Sequence, residues 1–193
     1  MNTLILMGSP RKQGNTIVLV KAFQEYLSQN QVSHELLWLY DLDITSCVAC
    51  RACQQDWSVF GCPLADDVHS IFSKVLAAEL IILATPIYSW YCTGPMKALL
   101  DRLMYGMNKF YGEERGPSLW AGKNLALVVT CGYGLDKGPD LFLQGMQRYC
   151  KHSSLNFKGM LAERDFGYKT IFADDGKATR AREFAQRLAV GLH

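Results

Sequence analysis

No apolar run in this 193-residue chain approaches the ~20 residues that a bilayer-crossing helix requires, so a membrane-spanning role is not expected. The first residues lack the basic start and long apolar core of a secretory signal, which makes the cytoplasm the default location. Charge is balanced, with 20 Lys and Arg against 18 Asp and Glu and a formal net charge of +2. No basic stripe forms, which argues against nucleic acid as a main partner. Neither G-x-G-x-x-G nor G-x-x-x-x-G-K-[ST] occurs, so the usual dinucleotide and nucleoside-triphosphate loops fit poorly. A Ser/His/Asp order, a zinc-protease motif, internal repeats and low-complexity tracts are likewise missing. What remains is the composition of one ordinary globular domain over residues 1–193, 49% hydrophobic and 20% charged. Seven cysteines in a chain of this kind point to metal, redox or packing roles rather than to a disulfide framework.

The most informative stretch lies near the start. An apolar strand at residues 3–7 runs into Gly8-Ser9-Pro10-Arg11-Lys12-Gln13-Gly14-Asn15-Thr16, and a helix pattern follows at once. Exposed N–H groups at that helix start, with the Ser9, Asn15 and Thr16 side chains, suit a phosphate monoester; an ordinary capped turn is the alternative. Arg11 can pair a phosphate bidentately, whereas Lys12 reads as solvent-facing.

Strand and helix patterns alternate along the rest. Strands are expected at residues 34–39, 79–84, 124–130 and, more weakly, 155–161. The third, carrying Leu80-Ile81-Ile82-Leu83, should lie centrally, covered on both faces. Helices are expected at 16–30, 66–76, 95–103, 139–150 and 175–192, with Asp66 and Asp67 capping the second and Pro95 opening the third. This alternation predicts a parallel sheet with helices on both faces, binding its ligand beyond the carboxyl ends of the strands. The loops at 8–15, 85–94 and 131–137 then meet in one crevice. Two longer insertions interrupt the pattern: residues 40–65, rich in cysteine, and the loop 105–119.

The second and third crevice loops carry Pro86-Ile87-Tyr88-Ser89-Trp90-Tyr91 and Gly132-Tyr133-Gly134. Aromatics beside strand-end amides make a platform for a flat ring, and Gly132 lets backbone approach it; plain edge packing is the alternative, most of all for Trp90, Tyr91 and Tyr133. Phosphate at one loop and a planar heterocycle at the others suggest FMN.

Gly8-Ser9-Pro10-Arg11-Lys12-x-Gly14-Asn15-Thr16, Thr85-Pro86-Ile87-Tyr88, Gly94-Pro95-Met96-Lys97, Asp101-Arg102 and Gly61-Cys62-x-x-x-Asp66-Asp67 together resemble the flavodoxin-like NADPH-dependent FMN reductases and the related iron–sulfur flavoproteins. The resemblance covers nearly the whole chain. It implies a flavodoxin-like α/β sandwich with a five-stranded parallel sheet of order 2-1-3-4-5 and one FMN per subunit, commonly in a homodimer or homotetramer. Ser9, Arg11, Gly14, Asn15 and Thr16 would hold the phosphate; Pro86, Ile87, Tyr88, Ser89 and Trp90 would line the ring with Gly132.

Cys47-x-x-Cys50-x-x-Cys53 followed by Cys62 is the second strong feature. Four thiols at this density can hold a [4Fe–4S] cluster or zinc, or can simply pack. Eight residues separate Cys53 from Cys62, a longer last spacing than is usual in the iron–sulfur flavoproteins. Cys92, Cys131 and Cys150 read as packing; His69 follows Cys62 closely enough to be a substitute ligand, but its place inside the helix pattern favours a surface or core role.

The leading expectation is an oxidoreductase taking a hydride from NAD(P)H and passing electrons to flavin, quinone or a similar small acceptor. Trp90, Tyr91 and the 105–119 insertion would wall the nicotinamide or acceptor pocket, and Arg115, Lys109 or Lys137 could meet a 2′-phosphate. The alternatives are an FMN and [4Fe–4S] electron carrier exchanging with a partner such as ferredoxin, and a redox-sensing module.

Overall fold

A computed structural model describes residues 2–167 and 171–190. It contains β1 (Asn2–Met7), α1 (Asn15–Gln29), β2 (Ser33–Trp38), α2 (Val68–Ala77), β3 (Leu80–Pro86), α3 (Gly94–Met107), β4 (Asn124–Cys131), α4 (Asp140–His152), β5 (Asn156–Arg164) and α5 (Asp175–Val190), with two short 3-10 turns at Leu39–Asp41 and Ala52–Gln54. All strand pairs are parallel, in the order β2-β1-β3-β4-β5. The end of the expected C-terminal helix, residues 191–192, lies outside the described residues.

Side chains on each inner strand alternate between two cores. Leu4, Leu6, Ile81, Leu83, Leu125 and Leu127 pack against α2, α3 and α4. Ile5, Met7, Leu80, Ile82, Ala126 and Val128 pack against α1 and α5. A strand apolar at every position therefore has to be internal, because both of its faces are covered. β3, buried from Leu80 to Thr85, meets this condition at the centre of the sheet. The helices bury one stripe each, as Met96, Leu99, Leu100, Leu103 and Met107 do on α3.

Boundaries move where tertiary contacts extend an element. β5 runs to Arg164, beyond the expected 161, and carries a register shift opposite Leu125–Leu127 in which Gly159 takes a φ of +107°. α3 continues to Met107, so the first three residues of the expected 105–119 loop are helical. Pro95 does sit in its first turn. Asp67 caps α2 by position only; its carboxylate accepts from the Asp43 N–H, and Asp66 instead accepts from the Val68 N–H.

Candidate functional site

Three loops leave the carboxyl ends of β1, β3 and β4 side by side, where strand order reverses between β1 and β3. They are tied together beyond the ladder. The Gly8 N–H donates to Ala84 O at 2.7 Å, the Ile87 N–H to Thr130 O at 2.7 Å, and the Thr93 hydroxyl to Gly8 O at 2.6 Å. A Cβ on Gly8 would stand 2.9 Å from Thr93 Oγ1 and 3.2 Å from Met96 Cβ, so glycine is what lets the first and second loops close on each other.

The first loop leaves the start of α1 without a side-chain cap. Its N-terminal N–H groups and the positive end of its dipole are offered to an anion. Ser9 is buried beside them and accepts from the Arg11 N–H at 3.3 Å. Gly14 is buried and Asn15 half-buried. Arg11 is exposed and folds over Gly14, where an added Cβ would lie 2.9 Å from Arg11 Cβ. Thr16 differs from the expectation: its hydroxyl is turned inward and shares a 2.8 Å hydrogen bond with Thr130, tying α1 to β4. Its contribution to an anion site is reduced to its backbone N–H. Lys12 is half-exposed, paired with Asp41 and set 4.1 Å over the Trp38 ring.

In the second loop Pro86 and Ile87 are half-buried while Tyr88, Ser89 and Trp90 are exposed. Tyr88 and Tyr91 exchange backbone hydrogen bonds of 2.8 and 2.9 Å across Ser89 and Trp90, which take φ values of +49° and +63°. This is a two-residue turn with both central residues left-handed, strained for any residue but glycine. The strain presents Trp90 outward, stacked on Tyr133 of the third loop with centroids 5.4 Å apart and planes 17° from parallel. Gly132 is exposed with nothing within 4 Å of a would-be Cβ, so its backbone is open to a ligand. Tyr91 is turned away, edge-on to Phe142. Cys92 and Cys131 are buried; burial pushes the Cys92 thiol up to about 12 and raises that of Cys131.

The cysteine region lies elsewhere, against the far part of α3. From Gly94 at the crevice to Tyr105 is eleven residues, about 16 Å at the helical rise. Cys47, Cys50, Cys53 and Cys62 line one small enclosed cavity with Arg102, Tyr105 and Gly106 of α3. Among the described residues no three His, Cys, Asp or Glu side chains converge closely enough to hold a single ion. The four thiols line this space together. His69 is not in that lining; it is edge-on to Phe60, with Nε2 3.1 Å from Leu64 O.

One buried cation, Arg102, lines this cavity, and a second, Lys109, is bonded to Cys53 O beside it. Arg102 makes a two-point contact with Asp66, at 2.7 and 3.1 Å, and donates to Thr45 O at 2.9 Å. Burial alone would raise the Asp66 carboxyl, but the bonds from Arg102 and from the Thr45 and Val68 N–H groups hold it below the ordinary carboxylate range. The buried Arg102 Nε–H has no oxygen or nitrogen acceptor, and the Cys62 sulfur lies within interaction distance of the guanidinium. A guanidinium beside Cys62 in the cavity lining suits a negatively charged occupant. Lys109 is wholly buried and gives its ammonium to three main-chain carbonyls, so it is not available to a 2′-phosphate. The rest of the 105–119 segment packs on the cysteine loop as well, with Gln54 bonded to Tyr105 O, Asn108 O and the Tyr111 N–H. Sequence reasoning misses Gln54 and Lys109 as parts of the cysteine site, because nothing local marks a polar residue that a distant loop will bury.

Residues 1–138 match the family described as NADPH-dependent FMN reductase. The chain belongs to that family. An iron-sulfur flavoprotein of Methanocaldococcus jannaschii is 32% identical over 102 residues, which is 53% of this chain and 51% of the relative. An FMN-dependent NADH:quinone oxidoreductase of Pseudomonas savastanoi is 34% identical over 74 residues, 38% of this chain and 36% of that one. The chain spans about half the length of the curated relatives it matches. In fold it is similar to a NAD(P)H:quinone oxidoreductase from Methanothermobacter marburgensis, with a TM-score of 0.73, 20% identity and coverage of 97% of this chain and 98% of that one. As a member of the FMN reductase family with a sheet of order 2-1-3-4-5, it has the flavodoxin-like architecture expected from its sequence.

Proposed function

We propose that this chain is an FMN-dependent NAD(P)H oxidoreductase passing electrons to flavin, a quinone or a similar small acceptor. The observation that carries this reading is the uncapped start of α1 beside the Trp90–Tyr133 pair, two loops away at the same sheet edge. A phosphate and a flat ring on one ligand would occupy both. FMN, when bound, supplies hydride acceptance and onward electron transfer, so the protein needs no nucleophile or general base of its own.

The chain's part is binding, orientation and exclusion of water. The Asn15 and Thr16 N–H groups, Ser9, the Asn15 side chain and Arg11 would hold the phosphate. Pro86, Ile87, Tyr88 and Ser89 would line the ring with the open backbone of Gly132, and Trp90 with Tyr133 would cover it. Exposed apolar groups around the mouth, including Tyr88, Trp90, Tyr133 and Phe166, support assembly as a homodimer or homotetramer. No helix among the described residues is long and apolar enough to cross a membrane. All seven cysteines are free thiols, which supports the reducing cytoplasm as the place where the chain works. Anaerobic mixing of the FMN-loaded chain with NADPH or NADH, followed by steady-state turnover with free flavin and quinones, tests the reading. Bleaching of the flavin bands is expected; if neither nucleotide bleaches them, a direct reductase is excluded.

A second reading is favoured by the four-thiol cavity, the Arg102 that lines it and the Lys109 bonded to Cys53 O beside it. Cys47, Cys50, Cys53 and Cys62 would hold a [4Fe–4S] cluster, and the chain would relay single electrons to a protein such as ferredoxin. Stoichiometric iron and acid-labile sulfide, with faster reduction by ferredoxin than by NAD(P)H, would distinguish it.

A further inference from the structure

The long interval between Cys53 and Cys62 has a specific closure. Lys109 Nζ donates to Cys53 O at 2.6 Å, to Val59 O at 2.6 Å and to Phe60 O at 3.2 Å. One carbonyl belongs to the first cysteine of the interval and two belong to the residues just before Gly61-Cys62. An ammonium has three N–H groups, and all three are used. The ends of the loop touch as a result: Gly61, at a φ of +66°, would place a Cβ 3.3 Å from Cys53 Cα.

Lys109 is itself fixed. Its N–H donates to Pro117 O at 2.9 Å and its carbonyl accepts from the Gly116 N–H at 2.6 Å, while Asn108 and Ser118 bridge alongside. None of its ammonium's partners is a carboxylate. A buried cation satisfied only by neutral carbonyls is costly unless an anion sits nearby. The Asp56 carboxylate and the Cys53 sulfur are the groups whose charge reaches it, and Cys53 would add a negative charge there when it binds a metal centre as a thiolate.

We propose that Lys109 is the positioning residue of the four-cysteine site, closing the 53–62 loop so that Cys62 joins the other three thiols and lending its charge to an anionic thiolate-bound centre. This deepens the second reading above and rests on it for the identity of the centre. The clamp replaces the tighter last spacing that would otherwise bring the fourth cysteine home.

The test compares the full-length wild type with K109M, K109Q and, as control, K123M. Lys123 also clamps two carbonyls, Leu76 O at 2.6 Å and Ala78 O at 2.8 Å, but away from the cysteines. After anaerobic reconstitution with iron and sulfide, K109M should retain wild-type FMN affinity and lose iron to a chelator about tenfold or more faster. K123M should keep its iron. K109Q retains two N–H donors without the charge; it should hold iron better than K109M, at a midpoint potential more negative than wild type in an EPR-monitored titration. In the metal-free chains, amide exchange of residues 54–61 should quicken in K109M and not in K123M.

Equal iron retention and unchanged exchange in K109M would overturn the proposal while leaving the cluster reading intact. If the wild type itself takes up no iron or sulfide, the cluster reading fails and exchange decides the clamp alone: quicker exchange sustains it, unchanged exchange overturns it. Should K109M not fold, K109Q in the same assays decides between these outcomes.

Discussion

At the scale of single residues, the Arg102–Asp66 pair shows how a buried charge is tolerated. Both side chains are 1% exposed, and Asp66 also accepts from two main-chain N–H groups. Removing one partner leaves the other charge buried alone, so R102M should lower unfolding free energy by about 3–5 kcal/mol. D66N should do the same at pH 7. Because the folded carboxyl is held below its unfolded value, its stabilisation is complete above the ordinary carboxylate range. It is lost as pH falls through the lowered value, so the gap between wild type and D66N should narrow below about pH 4. Urea unfolding at a series of pH values checks both. A gap that widens on acidification would show that Asp66 is not the ionised partner. The cysteines make a second contrast. Burial pushes Cys92 and Cys150 up to about 12, while Cys50 is exposed. At pH 8 only about one in ten thousand of the buried pair would be thiolate, so iodoacetamide should label Cys50 and spare Cys92 and Cys150 in the native metal-free protein. Peptide mass spectrometry reads this directly.

At the scale of elements, the turn between Tyr88 and Tyr91 holds Ser89 and Trp90 in left-handed geometry without glycine. S89G should therefore stabilise the cofactor-free protein by about 1 kcal/mol, measured by chemical unfolding. No gain would mean that the turn is relaxed as it stands. This strain is invisible in the sequence, where the segment reads only as an aromatic loop. The strands are legible because burial on both faces demands unbroken apolar runs, as in Leu80-Ile81-Ile82-Leu83. The start of α3 is legible because Pro95 marks a first turn. Its end is not, because Gly106 breaks the pattern for a tertiary reason: a Cβ there would lie 2.0 Å from the Phe60 ring of the cysteine loop. Likewise Asp66-Asp67 and Asp101-Arg102 both stand out, but a salt bridge across 36 residues leaves no local trace. The 105–119 segment reads as a crevice loop for want of any local sign that its lysine and Tyr111 N–H reach the cysteine loop instead.

At the scale of the whole molecule, the sheet brings a phosphate cradle and an aromatic pair to one end while the 40–65 insertion gathers the thiols against the far part of α3. The two halves of the crevice are built by different loops, so they can be separated by experiment. Ser9 is buried at the uncapped end of α1, in a different loop from either ring of the Trp90–Tyr133 pair. S9A removes the hydroxyl assigned to the phosphate and should weaken FMN binding by about 1.5–3 kcal/mol, the range for hydrogen bonds to charged groups. Riboflavin, which has the ring but no phosphate, should bind S9A and wild type alike. W90A should do the reverse, weakening both ligands by a similar factor, since it removes only the ring's cover. Flavin fluorescence titrations of the three proteins with the two ligands give six affinities, and the assignment predicts one interaction among them: S9A against the phosphate. If S9A weakens riboflavin as much as FMN, Ser9 shapes the loop rather than the anion site, and the phosphate must be placed elsewhere along the strand ends.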